Sequence, residues 1–135
     1  MECLIEKYTQ CEQEVSDAIR DSRLTKELCQ KFLRVSDCMF ALTEKVNPLA
    51  RAAVRHRLAL MCMEDGDKEH AIAILEDLVE ELVKTTNRFG YNEDWTEYII
   101  GVSELLFDHF IGEKDTERAN MYARIIEKAK QASAR

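Results

Sequence analysis

The chain has 135 residues, a length typical of one domain with its own core. Its 46% hydrophobic and 33% charged residues exclude a disordered chain, and its four glycines and one proline are too few for a β-sandwich or barrel. A net charge of −7 argues against nucleic acid and anionic membranes as partners. We therefore expect one nearly all-helical domain over residues 1–135.

Neither a signal peptide nor a membrane span is predicted. The stretch MECLIEKYTQ is charged from its second residue, and no apolar run approaches the ~20 residues that a span needs. The five cysteines form an odd set without a CxxC pair, which disfavours a disulfide framework. Free thiols are typical of a reducing compartment, so we expect a cytoplasmic protein, with the nucleus as an alternative.

Apolar residues recur every three or four positions through residues 2–21 and 24–45, which predicts the first two helices. The stripe of helix one contains Leu4, Tyr8, Cys11, Val15, Ala18 and Ile19. The stripe of helix two contains Leu24, Leu28, Phe32, Leu33, Val35, Met39, Phe40 and Leu42. Pro48 ends this segment, because the residue before a proline avoids the helical region, and it suits the first turn of helix three.

Helix three is predicted over residues 48–65 and helix four over residues 67–86. Helix three is apolar over a wide arc, which predicts that several neighbours cover it and that it lies in the middle of the fold. Gly66 between the two helices suits a left-handed helix terminus, and Asp67 suits the N-cap of helix four. Ala59 and Ala71 are small enough to let the two helices approach closely.

Two further helices complete the pattern. Helix five follows an N-cap at Asn92 or Asp94 and carries apolar residues from Trp95 to Phe110, and helix six begins at Asp115 or Thr116. The breaks within the pairs one–two, three–four and five–six are short and polar, which favours antiparallel neighbours. We therefore predict an all-α fold of six antiparallel helices in three helix-turn-helix hairpins, with a six-helix bundle as the alternative architecture.

One family pattern runs through the second hairpin. Its elements are an apolar–small pair at Leu58-Ala59, the turn Gly66-Asp67, a small residue at Ala71 and a packing residue at Leu75. In this order the segment from Val54 to Leu82 resembles a tetratricopeptide repeat, a helix-turn-helix unit of about 34 residues. It departs from that repeat at Arg55 and Leu78. In the third hairpin, Lys114-Asp115 and Ala119 match part of the same repeat pattern. The resemblance implies a right-handed array of hairpins that mainly binds proteins.

We find no pattern of a catalytic or metal site in the sequence. There is no HExxH motif, no paired ExxH motif and no glycine-rich phosphate loop, and His56, His70 and His109 fall on different predicted helices. The carboxylate clusters EDGDKE and EDLVEE lack the ligand spacing of a calcium loop. We therefore expect no enzyme activity, no cofactor and no metal.

By the resemblance, the first helix of each hairpin would line a binding face. The residues that we predict to border it are Arg55, His56, Leu60 and Met63 on helix three, with Glu104 and Asp108 opposite on helix five. Such a face is apolar on one side and acidic on the other, so it would suit a helix or peptide with apolar anchors and basic residues. We expect a non-catalytic adaptor or scaffold domain. The alternative is a structural subunit that self-assembles, for example as a homodimer, through helices one and six.

Overall fold

The computed structural model describes residues 2–43 and 48–133, and every regular element within them is a helix. The helices are α1 (Glu2–Arg20), α2 (Lys26–Thr43), α3 (Pro48–Glu64), α4 (Lys68–Phe89), α5 (Glu93–Gly112) and α6 (Thr116–Ser133). The all-α prediction is confirmed, and Pro48 is the first residue of α3. The predicted end of helix two at Lys45 lies outside the described residues. Helix α4 continues three residues beyond its predicted end at Thr86.

Neighbouring helices pack against each other along the chain. The contacts within the hairpins are α1 on α2, α3 on α4 and α5 on α6, and the hairpins are joined by α2 on α3 and α4 on α5. Helix α3 also contacts α5, so it has neighbours in α2, α4 and α5. This confirms its predicted central place and explains why residues as far apart around the helix as Ala52, Val54 and Ala59 are all fully buried.

The second hairpin turns through a Schellman motif, in which two backbone amides close the end of a helix. The N–H of Asp67 donates to the carbonyl of Cys62 at 2.8 Å, and the N–H of Gly66 donates to Met63 at 3.1 Å. Gly66 has a φ of 84°, a left-handed conformation that only glycine adopts without steric cost. The predicted roles of Gly66 and Asp67 are confirmed, and Ala59 and Ala71 are fully buried.

The first and third hairpins repeat this turn without glycine. Ser22 and Lys114 stand where Gly66 stands in the second hairpin, with φ angles of 57° and 61°. The N–H of the following residue reaches five residues back in both turns, to Ala18 at 2.7 Å and to Phe110 at 2.9 Å. All three hairpins therefore reverse direction through the same backbone geometry.

The hairpins also share the start of their second helix. The N-cap side chains are Thr25, Asp67 and Asp115, which accept from the backbone N–H three residues later at 3.2, 3.3 and 3.1 Å. Four residues after each cap stands a fully buried small residue, namely Cys29, Ala71 and Ala119. Of the two N-cap residues predicted for helix five, Asn92 is the cap, since its side chain accepts from the N–H of Asp94 at 2.9 Å.

The left-handed backbone conformations of Ser22 and Lys114 predict that glycine at either position stabilises the fold. We expect Ser22→Gly and Lys114→Gly each to stabilise the fold by about 1 kcal/mol, because glycine removes the steric cost of a Cβ in this conformation. Urea unfolding followed by circular dichroism measures the change. Ser16→Gly is the matched control, since Ser16 is exposed inside α1 and glycine there should destabilise by about 0.5–1 kcal/mol. Equal losses at Ser16 and Ser22 would contradict the assigned turn.

Candidate functional site

The predicted binding residues of α3 point to different sides of that helix. Arg55 pairs with Glu81 of α4 at 3.5 Å and lies 4.0 Å from Asp37 of α2. His56 instead meets Tyr98 of α5 edge-on, with 6.2 Å between the ring centroids. Burial, together with the nearby positive charge of Arg57, lowers the pKa of His56, so the imidazole is neutral in this contact.

The other predicted residues are spread over α3 and α5. Leu60 is exposed, whereas Met63 is half-buried and packs against the core. Glu104 and Asp108 are exposed on α5, and Glu104 lies 3.8 Å from Lys130 of α6. An added Cβ at Gly101 would meet no atom within 4 Å, so the surface beside these carboxylates is open. Arg55 thus pairs with side chains of α2 and α4, whereas Glu104 pairs with a side chain of α6.

Arg55 instead helps to line a cleft of about 670 Å³ on the α2–α4 side of α3. We call it the aromatic cleft. Its walls are Phe40 of α2, Arg55 of α3, Phe89 at the end of α4 and Trp95 of α5, and its floor is an α4 stripe of Asp77, Glu80, Glu81, Lys84, Thr85 and Arg88. This volume is within the range of ligand-binding clefts in proteins, about 300–1,000 Å³.

Two aromatic side chains at the cleft are exposed. Phe40 lies one turn after the fully buried Ser36, yet it is 41% exposed because the cleft opens beside it. Phe89 is 69% exposed. The prediction that Phe40 and Leu42 belong to the buried stripe of helix two was wrong, and Leu42 is 62% exposed. Residues 40–42 therefore add apolar surface to this side of the molecule.

A buried arginine lies beside the cleft. Arg51 is 2% exposed and donates to both carboxylate oxygens of Glu81, from Nη2 at 2.8 Å and from Nε at 3.1 Å. Its Nη1 donates to Ser36 Oγ at 2.6 Å and lies 2.8 Å from Asp37 Oδ1. The guanidinium also sits 5.6 Å from the centre of the Phe40 ring. One side chain of α3 thereby fixes two cleft residues, Phe40 of α2 and Glu81 of α4.

The surroundings of Arg51 keep it charged. Burial by itself favours the neutral form, but the hydrogen bonds and negative charges of Glu81 and Asp37 outweigh it, so the pKa of Arg51 is raised above its usual value. Sequence reasoning missed this residue, although a signal was present. Arg51 precedes the buried Val54 and Leu58 by three and seven positions, so it falls on the stripe of α3 that faces the core.

A thiol and a base approach each other in the second hairpin, but not in a catalytic arrangement. Cys62 Sγ lies 3.8 Å from His70 Nδ1, and the same nitrogen lies 3.6 Å from Asp67 Oδ2. Because both neighbours share one ring nitrogen, the imidazole cannot link the thiol to the carboxylate through its two nitrogens. Cys62 is also buried. Within the described ranges, no three His, Cys, Asp or Glu side chains converge to hold a metal ion.

Comparisons of the chain with protein-family models, with curated proteins and with solved structures found no match. In the part of the chain that the structure describes, no helix combines the length and apolarity needed to cross a bilayer.

Proposed function

We propose that this chain is a non-catalytic protein-interaction domain and that the aromatic cleft holds a helix or peptide of a partner protein. The observation that carries this proposal is the exposure of Phe40 and Phe89 around a cleft of about 670 Å³. Large aromatic side chains around a preformed cleft are typical anchors of protein interfaces. The network of Arg51 supports binding further, because a wall that is already fixed loses little entropy when a partner docks.

The shared design of the three hairpins supports a tetratricopeptide-like array. Each hairpin has a left-handed residue at the turn, a capping side chain and a buried small residue four positions after the cap. Arrays of this kind mainly act by binding other proteins.

The self-assembly alternative has less support, since the exposed residues of the terminal helix α6 include Arg118, Arg124, Glu127 and Lys128. Charged residues are depleted from the cores of stable interfaces.

We further propose that the open surface of α5 contacts basic residues of the partner. Glu104 and Asp108 are exposed there beside Gly101, and Leu60 exposes an apolar side chain on α3. Glu104→Lys with Asp108→Lys should leave the fold intact, because exposed charges contribute little to stability. The double variant should bind a basic amphipathic peptide of leucine and lysine about tenfold more weakly, because repulsion replaces attraction.

Fluorescence anisotropy of the labelled peptide measures this change, and circular dichroism checks the fold. Glu6→Lys with Glu27→Lys is the matched control, since both carboxylates are exposed on α1 and α2, whereas α5 packs against α3, α4 and α6, and the net charge changes equally. The control should keep its affinity within about twofold, because distant exposed charges are largely screened by salt. Equal losses in the two variants would show that only net charge matters and would move the interface away from α5.

A reducing compartment such as the cytoplasm is part of the proposal, and the thiols test it. Cys11, Cys29 and Cys62 are buried, Cys38 is exposed, and all four are free. Burial raises the pKa of Cys29 to about 11, which leaves little thiolate at neutral pH. We expect Cys38 to react with a thiol reagent rapidly in the native protein, and the three buried cysteines to react only after unfolding. Mass spectrometry that finds disulfides after unfolding without reductant would contradict this expectation.

The experiment that tests the function is a selection from a phage-displayed library of peptides of about 16 residues, long enough for four helical turns. We expect enriched peptides with apolar residues at helical spacing that lose at least about tenfold in affinity for Phe40→Ala with Phe89→Ala. Leu42→Ala is the matched control, since Leu42 is also exposed but is not among the residues lining the cleft. Peptides that bind the double variant as tightly as the wild type would contradict the proposed site.

A further inference from the structure

The charged side chains on the floor of the aromatic cleft follow a fixed order. Along the α4 stripe the acidic residues Asp77, Glu80 and Glu81 come first, and the basic residues Lys84 and Arg88 follow. Glu81 is held by the buried Arg51, whereas Glu80 and Lys84 are exposed and lie 3.0 Å apart. Because Arg51 and Arg55 both pair with Glu81, the acidic charge at one end of the cleft floor comes from Asp77 and Glu80, and the other end is basic.

The length of this stripe limits what can lie on it. The eleven-residue step from Asp77 to Arg88 covers about 16 Å, because an α-helix rises about 1.5 Å per residue. This distance corresponds to about three turns of a second helix laid along the cleft. Phe40, Phe89 and Trp95 border the same space, so the side of such a helix that faces the cleft has to be apolar.

We infer that the occupant of the cleft is an amphipathic helix of a partner protein, acidic in its first turns, basic in its last turns and antiparallel to α4. This inference rests on the proposed function. Two independent effects favour this direction. Acidic side chains of the occupant would face Lys84 and Arg88 while its basic side chains face Asp77 and Glu80, and the same charges would match the occupant's own macrodipole.

The orientation is tested with two synthetic peptides of about 16 residues that carry the same leucines at helical spacing. The first peptide has glutamates in its N-terminal turns and lysines in its C-terminal turns, and the second has the two charge blocks exchanged. Trp95 is the only tryptophan of the chain and borders the cleft, so its fluorescence reports binding without a label. Both peptides lack tryptophan.

A protein variant with the reversed charge order separates the cleft's preference from the helicity of the peptides. It combines Asp77→Lys, Glu80→Lys, Lys84→Glu and Arg88→Glu, which are all exposed positions, and it leaves the net charge unchanged. We expect the wild type to bind the first peptide about tenfold more tightly than the second. The ratio between the two dissociation constants should shift by about a hundredfold toward the second peptide in the variant, because each peptide then meets the opposite charges.

Each other outcome overturns the inference in an identifiable way. If the ratio of the two dissociation constants is unchanged in the four-site variant, the order of charges along the cleft floor does not set the orientation of the peptide. The proposed function would still be upheld if Phe40→Ala with Phe89→Ala weakens binding. If neither peptide changes the Trp95 fluorescence, the occupant is not a helix of this kind, and the library selection decides the function separately. If light scattering finds a dimer that Phe89→Ala dissociates, a second copy of the chain fills the cleft.

Discussion

Replacing Glu81 with leucine should destabilise the fold by about 3–5 kcal/mol, because it leaves a buried charge without its main partner. The guanidinium of Arg51 is almost fully buried and donates two of its hydrogen bonds to Glu81. Asp37 and Ser36 remain as partners in the variant, but they cannot replace the two oxygens of Glu81. Urea unfolding with circular dichroism gives the free energy of unfolding of the variant and the wild type.

The neighbouring Glu80→Leu is the matched control for this prediction. Glu80 is exposed and pairs with Lys84 four residues later, an arrangement whose loss costs about 0.3–0.5 kcal/mol. Adding Arg51→Met to Glu81→Leu should recover much of the lost stability, because an apolar pair leaves no buried charge. Similar free energies of unfolding for Glu80→Leu and Glu81→Leu would show that the network of Arg51 does not hold α3 to α4.

The second large effect is expected at the turn of the second hairpin. Gly66→Val should destabilise the fold by about 2 kcal/mol, because Gly66 has a φ of 84° and a β-branched residue is strained there. An added Cβ would meet no atom within 4 Å, so the cost comes from the backbone conformation and not from a clash.

Gly101→Val is the matched control for the turn. Gly101 is equally free of neighbours within 4 Å, but it lies inside α5, where valine has the higher helix propensity. We expect this variant to melt at or above the temperature of the wild type. If thermal melts show equal stability for Gly66→Val and Gly101→Val, the left-handed turn is not a constraint on the fold.

Features that depend on local chemistry could be predicted from the sequence. The conformations of Gly66 and Asp67 follow from their residue types, since glycine favours a left-handed helix end and aspartate favours an N-cap. Pro48 likewise marks the start of α3. Ser22 and Lys114 adopt the same turn as Gly66 without any such signal, because tertiary packing of the hairpins overrides their steric preference.

The aromatic cleft could not be predicted, because it is built from residues that are distant in the chain. Phe40, Arg55, Glu81 and Trp95 come from four helices, and only the packing of those helices leaves a space between them. Helical periodicity places Phe40 on a buried stripe, but it does not show which part of that stripe lacks a covering neighbour. Only Arg55 among the six predicted binding residues lines this cleft.

The most direct test of the proposed interaction is to map a selected peptide on the protein by NMR. Titration of the isotope-labelled protein shows which backbone amides change their chemical shift when the peptide binds. We expect the largest changes around Phe40, along Glu81 to Phe89 and at Trp95, which border the aromatic cleft. Changes confined to Leu60, Glu104 and Asp108, with the amides of the cleft unaffected, would contradict the central claim that the cleft is the binding site.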